Sequence, residues 1–85
     1  MARKKVADIV RVDGTVERLP TTVAKMDFRY VQRIVGGWVE HLGVQGVGDL
    51  WCNEDGKLAG LPKNQKASDH MGTHVVGDVT IETFE

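Results

Sequence analysis

The alternation of apolar and polar positions near the start of the chain predicts a β-hairpin. Residues 6–12 and 15–19 form two strand-like runs, separated by the dipeptide Asp13-Gly14. An Asp-Gly pair between such runs favours a tight turn, because a type I′ turn needs positive φ at both central positions. A two-residue turn would pair Val12 with Thr15, but this register leaves neither face of the hairpin cleanly apolar. The pattern therefore predicts the hairpin and leaves its register open.

The clearest helical pattern covers residues 27–35. Its apolar side chains recur on one face at the spacing of an amphipathic helix, and they are Phe28, Val31, Ile34 and Val35. Asp27 suits the N-cap position, because its carboxylate can accept hydrogen bonds from the free amides of the first turn. Gly36-Gly37 supplies the left-handed residue that ends the helix. Before the helix, Pro20 ends the second strand, and residues 21–26 form a connection or an early helical turn.

Strand-like alternation returns after the helix. Residues 38–42 and 49–53 each predict a strand, and the glycine-rich residues 43–48 predict a flexible connector between them. The segment 62–71 is polar and begins with proline, so it predicts no more than a short helical turn. Residues 79–83 alternate between apolar and polar side chains and predict the last strand.

Turn signals join these elements. Residues 53–56 predict a turn with Gly56 at positive φ, and residues 58–61 predict a short extended stretch. The sequence shows no internal repeat, low-complexity tract or linker. We therefore expect a single α+β domain over residues 1–85, with a small, mainly antiparallel sheet and one principal helix packed on one face.

Composition limits the classes of function. A chain of 85 residues has room for one core, and its 41% hydrophobic and 27% charged residues are typical of a folded domain. The formal net charge of −1 gives no field strong enough to select nucleic acid or a membrane surface. A domain this small has modest stability, which self-association would raise, so a homo-oligomer stays open.

Cysteine usage and the first residues bear on location. Cys52 is the only cysteine, so the chain cannot form an internal disulfide, which fits a reducing compartment. Residues 1–5 are similar to the start of a signal peptide, but residues 6–11 carry charges where an apolar stretch is needed. No apolar run approaches the length of a transmembrane helix. These features predict a cytoplasmic protein.

Two segments of the sequence resemble a known family. Residues 35–40 read V-G-G-W-V-E, and residues 50–64 read L-W-C-N-E-D-G-K-L-A-G-L-P-K-N. They resemble the core of the family catalogued as domain of unknown function 3846, in which a helix leads into V-G-G-Y and a later C-N-E-E-G-K-L-x-G-L-P-x-N run. Residues 75–78 resemble the family's later I-V-G-T segment. The order and spacing agree over about half the chain, while Trp38 replaces the usual tyrosine and residues 20–26 lengthen the entry to the helix.

The resemblance implies an accessory protein of a mobile element. The family comprises small proteins of bacteriophages, conjugative elements and bacteria. Proteins of that kind commonly act on host machinery or host defence, by docking on a host protein or by sequestering a small signal molecule. The family supplies no catalytic residues to carry over, so the expected role is binding without catalysis and without a cofactor.

The sequence's own candidates for chemistry are weak. Residues 43–48 superficially resemble a phosphate-binding loop, but such a loop opens a helix, and here strand residues follow. Residues 53–57 carry the oxygen donors of a calcium loop without its spacing, and they fit a turn better. Ser68-Asp69-His70 has the residue types of a hydrolase triad, but adjacent residues point apart. Cys52 has no positively charged neighbour in sequence to lower its pKa, so a structural thiol is favoured over a nucleophile.

A metal site is also considered at two histidines. His70 and His74 lie four residues apart, the spacing that brings two ligands to one face of a helix, and Asp69 adds a carboxylate. Gly72 lies between the histidines and no third spaced ligand is present, so the sequence predicts no metal site here.

Binding is therefore the remaining role, and basic and aromatic residues are its candidates. The residues proposed to contact a partner or ligand are Arg29, Arg33, Trp38, Trp51, Lys57, Lys63 and Asn64. The tryptophans form a contact surface if they are exposed together, and otherwise pack in the core. The basic residues, with Lys66, either converge on an anion or form a solvated face. The leading hypothesis is a host bacterial protein as partner, and the alternative is an oligomer that holds a small, nucleotide-like anion.

Overall fold

The computed structural model describes residues 3–85. Residues 1 and 2, part of the segment considered for a signal peptide, lie outside that range. The strands are β1 Lys5–Val10, β2 Val16–Arg18, β3 Val39–Val44, β4 Gly48–Asn53 and β5 Val79–Phe84. The helices are α1 Phe28–Val35 and α2 Gln65–Met71, and a 3-10 turn spans Val23–Lys25. No helix in the described range is long and apolar enough to cross a membrane.

The strands form one antiparallel sheet in the order β2-β1-β5-β4-β3. The last strand of the chain, β5, lies in the centre and pairs with β1 on one side and β4 on the other. Its residues are buried on both faces from Val79 to Glu82, because layers of other residues cover both sides of the sheet. β2 and β3 are the edge strands. The predicted α+β class with an antiparallel sheet is confirmed.

A helix packs on each face of this sheet, where the sequence predicted one helix on one face. Val31 of α1 joins a buried cluster with Ala7 and Ile9 of β1, on what we call the α1 face. Ala67 and Met71 of α2 join a second cluster on the opposite, α2 face. The alternating side chains of each strand divide between these clusters. The remaining members of the second cluster are Val10, Leu50, Val75, Val79 and Ile81.

The first hairpin is present, but its two-residue turn is not. Val10 pairs with Val16, so the pairing is shifted by one residue from the Val12–Thr15 register. Gly14 donates its amide to Arg11 O at 2.9 Å, and Gly14 alone in the turn has positive φ, at 90°. This is a three-residue loop with glycine in the left-handed position. Ala7 and Ile9, two residues apart on β1, share the buried α1 face.

Helix α1 follows the prediction at both ends. Asp27 accepts a hydrogen bond from Arg29 N at 2.9 Å, and Gly36 ends the helix with φ of 80°. Val31 and Val35 are buried as the apolar stripe predicts. Phe28 is the exception, because it lies at the first helical residue, beyond the reach of the sheet, and is 55% exposed.

Helix α2 contradicts the expectation for the polar segment. The helix begins after Asn64, whose side chain accepts a hydrogen bond from Ala67 N, and it ends at Gly72 with φ of 71°. Pro62 lies outside the helix. Two small residues, Ala67 and Ser68, are buried against the sheet, so this helix needs no wide apolar stripe to pack.

The segment after β4 also differs from its prediction. A turn does form, with Gly56 donating its amide to Asn53 O at 3.1 Å. Gly56 occupies the fourth position of that turn, which does not require positive φ, and positive φ occurs at Gly60 instead. Residues 58–61 are not extended, because the amides of Ala59 and Leu61 donate back to earlier carbonyl groups within successive turns.

Candidate functional site

The two edges of the sheet are built differently. β2 has three residues, and its Glu17 and Arg18 are engaged in ion pairs with Arg11 and Asp8. β3 has six residues, and the side chains from Glu40 to Gly43 are all exposed. Short strands and charged side chains protect a sheet edge from further pairing. β2 has that protection, whereas β3 has one carboxylate and is otherwise open.

Apolar side chains are exposed beside the open edge. Trp38 is 68% exposed and Leu42 is 40% exposed. Leu42 projects from the α2 face, because side chains alternate along β3 and Val39 packs on the α1 face. Trp38 lies immediately before β3. Leu58, in the turns after β4, is 91% exposed. Large apolar residues gathered in one region of a small protein are typical of an interaction surface.

A groove lies among these residues on the α2 face. Its volume is about 160 Å³. Its floor is formed by Leu50 and Cys52 of β4, and its walls come from β3, the turns after β4 and the loop that follows α2. The residues on its walls are Glu40, Leu42, Asn53, Glu54, Lys57, Leu58, Thr73, His74, Val75 and Val76.

The groove suits one apolar group with charges around it. A cavity of about 150 Å³ holds a benzene-sized molecule, so a volume of about 160 Å³ accommodates one side chain. Drug-sized ligands usually need roughly 300–1,000 Å³. Glu40, Glu54 and Lys57 surround the apolar centre, which is the arrangement of a protein interface with a polar rim.

The thiol in the groove is not activated. Burial raises the pKa of Cys52, and the carboxylate of the paired residue Glu40 raises it further, while Lys57 acts in the opposite direction. A nucleophilic cysteine needs the reverse, a pKa lowered by positive charge. His74 lines the same groove, but it does not contribute to the shift of the Cys52 pKa.

A larger cleft lies at the β3–β4 turn. Its volume is about 600 Å³, and it is open to solvent. Residues 43–49 line one side, with Arg3, His70, Thr83 and Phe84 opposite. The turn joins two strands, closed by a hydrogen bond from Val47 N to Val44 O at 3.0 Å, and it does not open a helix. It therefore lacks the helical amides of a phosphate-binding loop.

The predicted basic residues do not converge. Arg29 lies on α1 and pairs with Asp27 at 3.0 Å, which raises the pKa of the Arg29 guanidinium. Arg33, on the same helix, lies 5.9 Å from the ring centre of Tyr30. Lys57 lies across the sheet, at the groove on the α2 face. The sheet itself separates these charges.

The remaining lysines are placed by the fold. Lys66 donates to Gly14 O at 2.8 Å, which ties α2 to the first hairpin. Lys63 precedes α2 and forms an isolated β-bridge with Val76. The side chain of Lys63 is exposed but does not line the groove or the cleft.

The two tryptophans differ in burial. Trp51 packs on the α1 face, and its ring lies 4.9 Å from that of His41, centre to centre. Trp38 lies immediately before β3 and is exposed. The two side chains therefore form no exposed pair, and the core packing favoured for at least one of them is found at Trp51. Trp38 alone belongs to the surface near the groove.

Asn64 is an interior residue and not a surface one. Its side chain is fully buried and donates hydrogen bonds to Val10 O and Gly77 O, each at 2.9 Å. Its oxygen accepts from Ala67 N at 3.0 Å. All of its polar atoms are occupied, so it cannot contact a partner as the sequence interpretation supposed.

The two histidines considered for metal binding face different cavities. His70 ends in the large cleft and His74 lines the groove, because Gly72 turns the chain between them. Within residues 3–85, no group of three or more histidine, cysteine or acidic side chains is close enough to hold a metal ion.

Sequence reasoning missed two residues of the groove. Leu42 was assigned to a strand but not to a surface, and Leu58 was assigned to an extended stretch. The sequence does offer one signal for Leu58. It is an aliphatic residue in a turn region, and it stands between Lys57 and the dipeptide Ala59-Gly60. An apolar residue that the surrounding turn cannot bury is a candidate for contact.

The chain matches the model of the family described as Domain of unknown function (DUF3846) over residues 7–83. The match covers nearly all of the sheet and both helices. No curated protein matches the chain, and no solved structure does. The chain belongs to this family.

Proposed function

We propose that this family member is a mobile-element accessory protein that binds and inhibits a host protein in the bacterial cytoplasm, in host takeover or counter-defence. The observation that carries the proposal is the exposed apolar surface around the groove. Leu58 is almost fully exposed at its rim, and Leu42 and Trp38 lie along the adjoining edge. A soluble domain loses stability and solubility by exposing such residues, unless a partner covers them.

The size and polarity of the groove favour a protein over a small molecule. The partner inserts one aliphatic or aromatic side chain into the groove, and Leu58 packs beside that anchor. Glu40, Glu54 and Lys57 then pair with polar groups around it. Interfaces usually depend on a few central apolar anchors surrounded by nearly neutral contacts.

The first test is native mass spectrometry of tagged protein recovered gently from a bacterial host. The proposal predicts a host protein at simple stoichiometry. Leu58→Asp should lose it, because a carboxylate at the rim cannot be buried against an apolar anchor. Phe28→Asp is the matched control, since Phe28 is also an exposed apolar residue but lies on α1, across the sheet. A host protein retained equally by both variants contradicts the role of the groove.

A second candidate function rests on the larger cleft. Its volume of about 600 Å³ falls within the usual range for small-molecule sites, and Arg3 provides positive charge there. This favours the alternative of a sponge for a small anion. Its signature in the same experiment is a small mass adduct on the chain or its oligomer, reduced by Arg3→Ala and unaffected by Leu58→Asp.

A further inference from the structure

The open edge of β3 presents a row of unpaired backbone groups. Trp38 O accepts a hydrogen bond from Glu54 N at 2.8 Å, so the even-numbered residues of this strand direct their backbone groups toward β4. Backbone groups alternate in direction along an antiparallel strand. The amides and carbonyls of Val39, His41 and Gly43 therefore point away from the sheet, and β3 is its terminal strand.

We propose that β3 pairs antiparallel with β3 of a second copy of this chain, forming a dimer with one continuous sheet across both copies. Hydrogen-bonded pairs require an outward-pointing residue on each strand. One register uses every outward-pointing residue, with His41 opposite His41 of the second copy and Val39 opposite Gly43. Registers displaced by two residues leave one of these residues without a strand partner. We call this arrangement the His41-centred register.

The side chains on the α2 face fit this register. Glu40 lies opposite Leu42 of the second copy, and Trp38 lies opposite Val44. No carboxylate lies directly opposite another carboxylate, and the exposed Leu42 gains a neighbour across the seam. A like pair occurs only at His41, where each imidazole already contacts its own Asp49 carboxylate at 2.9 Å. Like charges directly opposite each other destabilise strand pairing, and this register avoids them.

Self-complementarity identifies a second copy as the occupant. A two-fold axis places β3 of each copy beside β3 of the other. In the His41-centred register the charged Glu40 of each copy then lies opposite the apolar Leu42 of the other. The axis is perpendicular to the sheet, because paired side chains share a face. Both grooves consequently open on the same side of the dimer. The β2 edge, with its ion pairs on both charged residues, offers no such pairing.

The test uses opposite charges at one exposed position. Leu42→Glu places a carboxylate opposite Glu40 of the second copy, whereas Leu42→Lys places an ammonium group there. The two-fold axis makes each of these pairs occur twice in the dimer. Both variants remove the same apolar side chain. Sedimentation velocity should show the dimer, twice the 9.4 kDa chain mass, for the parent and for Leu42→Lys. The dissociation constant of Leu42→Glu should be higher than that of Leu42→Lys, on the order of tenfold.

A charge reversal completes the test. Glu40→Lys combined with Leu42→Glu restores opposite charges in the His41-centred register, so the double variant should recover the dimer. Urea unfolding of each variant checks that the monomer still folds. A monomeric parent overturns the proposal, and so do equal dissociation constants for the glutamate and lysine variants. The dimer does not depend on the proposed host partner, because Leu58→Asp leaves the β3 edge intact and should still dimerise.

Discussion

At the scale of single residues, the most informative side chain is the buried Asn64. Its amide joins the end of β1, the turn before β5 and the first turn of α2 through hydrogen bonds to Val10, Gly77 and Ala67. The Ala67 amide lies in the first turn of α2 and has no partner within the helix, so the cap supplies one. One side chain thus holds together segments that are far apart in the sequence.

Asn64→Ala should destabilise the fold strongly. The change removes the helix cap and the two buried hydrogen bonds to Val10 O and Gly77 O, for an expected loss of about 3 kcal/mol in the free energy of unfolding. Urea denaturation measures this loss. Gln65→Ala, at the exposed neighbouring position, should change stability by less than about 0.5 kcal/mol. Similar losses for the two variants would show that Asn64 does not have this structural role.

Cys52 should react slowly with thiol reagents. Its pKa is raised by burial and by Glu40, so the folded protein retains the thiol proton to higher pH than the unfolded chain does. The stability due to this shift is fully present below the unfolded pKa of the thiol and is lost as the pH rises through the higher folded pKa. Alkylation by iodoacetamide, followed against pH, should show its inflection at higher pH in the native protein than in urea. An inflection at lower pH would indicate an activated nucleophile.

At the scale of elements, the second hairpin depends on one close approach. Gly48 has φ of 146°, and a Cβ atom there would lie 2.6 Å from Glu82 O on the neighbouring strand β5. Gly46, in the same turn, has φ of 80° with open space around it. Both glycines have positive φ, but only at Gly48 would a Cβ atom also clash with a neighbouring strand. Comparing the two positions therefore distinguishes the cost of the clash from the cost of the backbone conformation.

Gly48→Ala should cost about 3 kcal/mol or more, since the methyl group both clashes with β5 and occupies a backbone region almost restricted to glycine. Gly46→Ala should cost about 1 kcal/mol, the strain of the left-handed conformation alone. Urea denaturation of both variants compares them. Equal losses would mean that β4 does not approach β5 as closely as the structure shows.

The cap of α1 should make stability depend on pH in the acidic range. Hydrogen bonds from the Arg29 side chain and then from its backbone amide lower the pKa of Asp27. The stabilisation is therefore complete above the unfolded pKa of the carboxyl and is lost as the pH falls through the folded one. Asp27→Asn keeps an oxygen that can accept the amide hydrogen bond but has no charge to titrate. The urea midpoint of the parent should exceed that of Asp27→Asn at neutral pH, and the difference should shrink as the pH falls.

The sequence predicted elements with local signals and failed where tertiary contacts decide. Helix α1 has a cap, a stripe and a terminal glycine, and all of these are local. Helix α2 was underestimated, because the burial of Ala67 and Ser68 depends on how closely the helix approaches the sheet. The register of the first hairpin stayed open for the same reason, since the burial of Ala7 and Ile9 against α1 is a tertiary contact.

The candidate site was harder to predict than the fold. Trp38 and Lys57 were selected from the sequence and do lie near the groove, while Arg29 and Arg33 lie across the sheet. Leu42 and Leu58 were missed, because exposure of an aliphatic residue has no local sequence signature. Which face a strand residue occupies depends on the sheet order, and the central position of the last strand is a long-range property of the chain.

At the scale of the whole molecule, the sheet is covered on both faces and left open at one edge. Helices α1 and α2 bury the two faces, charged residues protect β2, and β3 remains free beside the groove. The backbone edge is proposed for a second copy and the groove for another protein, and Glu40 and Leu42 belong to both surfaces. Leu58 and the turns after β4 lie outside β3, so a dimer would present two grooves on the same side.

The central claim is that the groove with Leu58 at its rim binds a host protein. The most direct measurement is the dissociation constant of the purified host protein for the parent chain, Leu58→Asp and Phe28→Asp, by isothermal titration calorimetry. We predict that the dissociation constant rises on the order of tenfold or more for Leu58→Asp and does not change for Phe28→Asp. Equal affinities of the parent and Leu58→Asp would contradict it and place the binding surface elsewhere on the molecule.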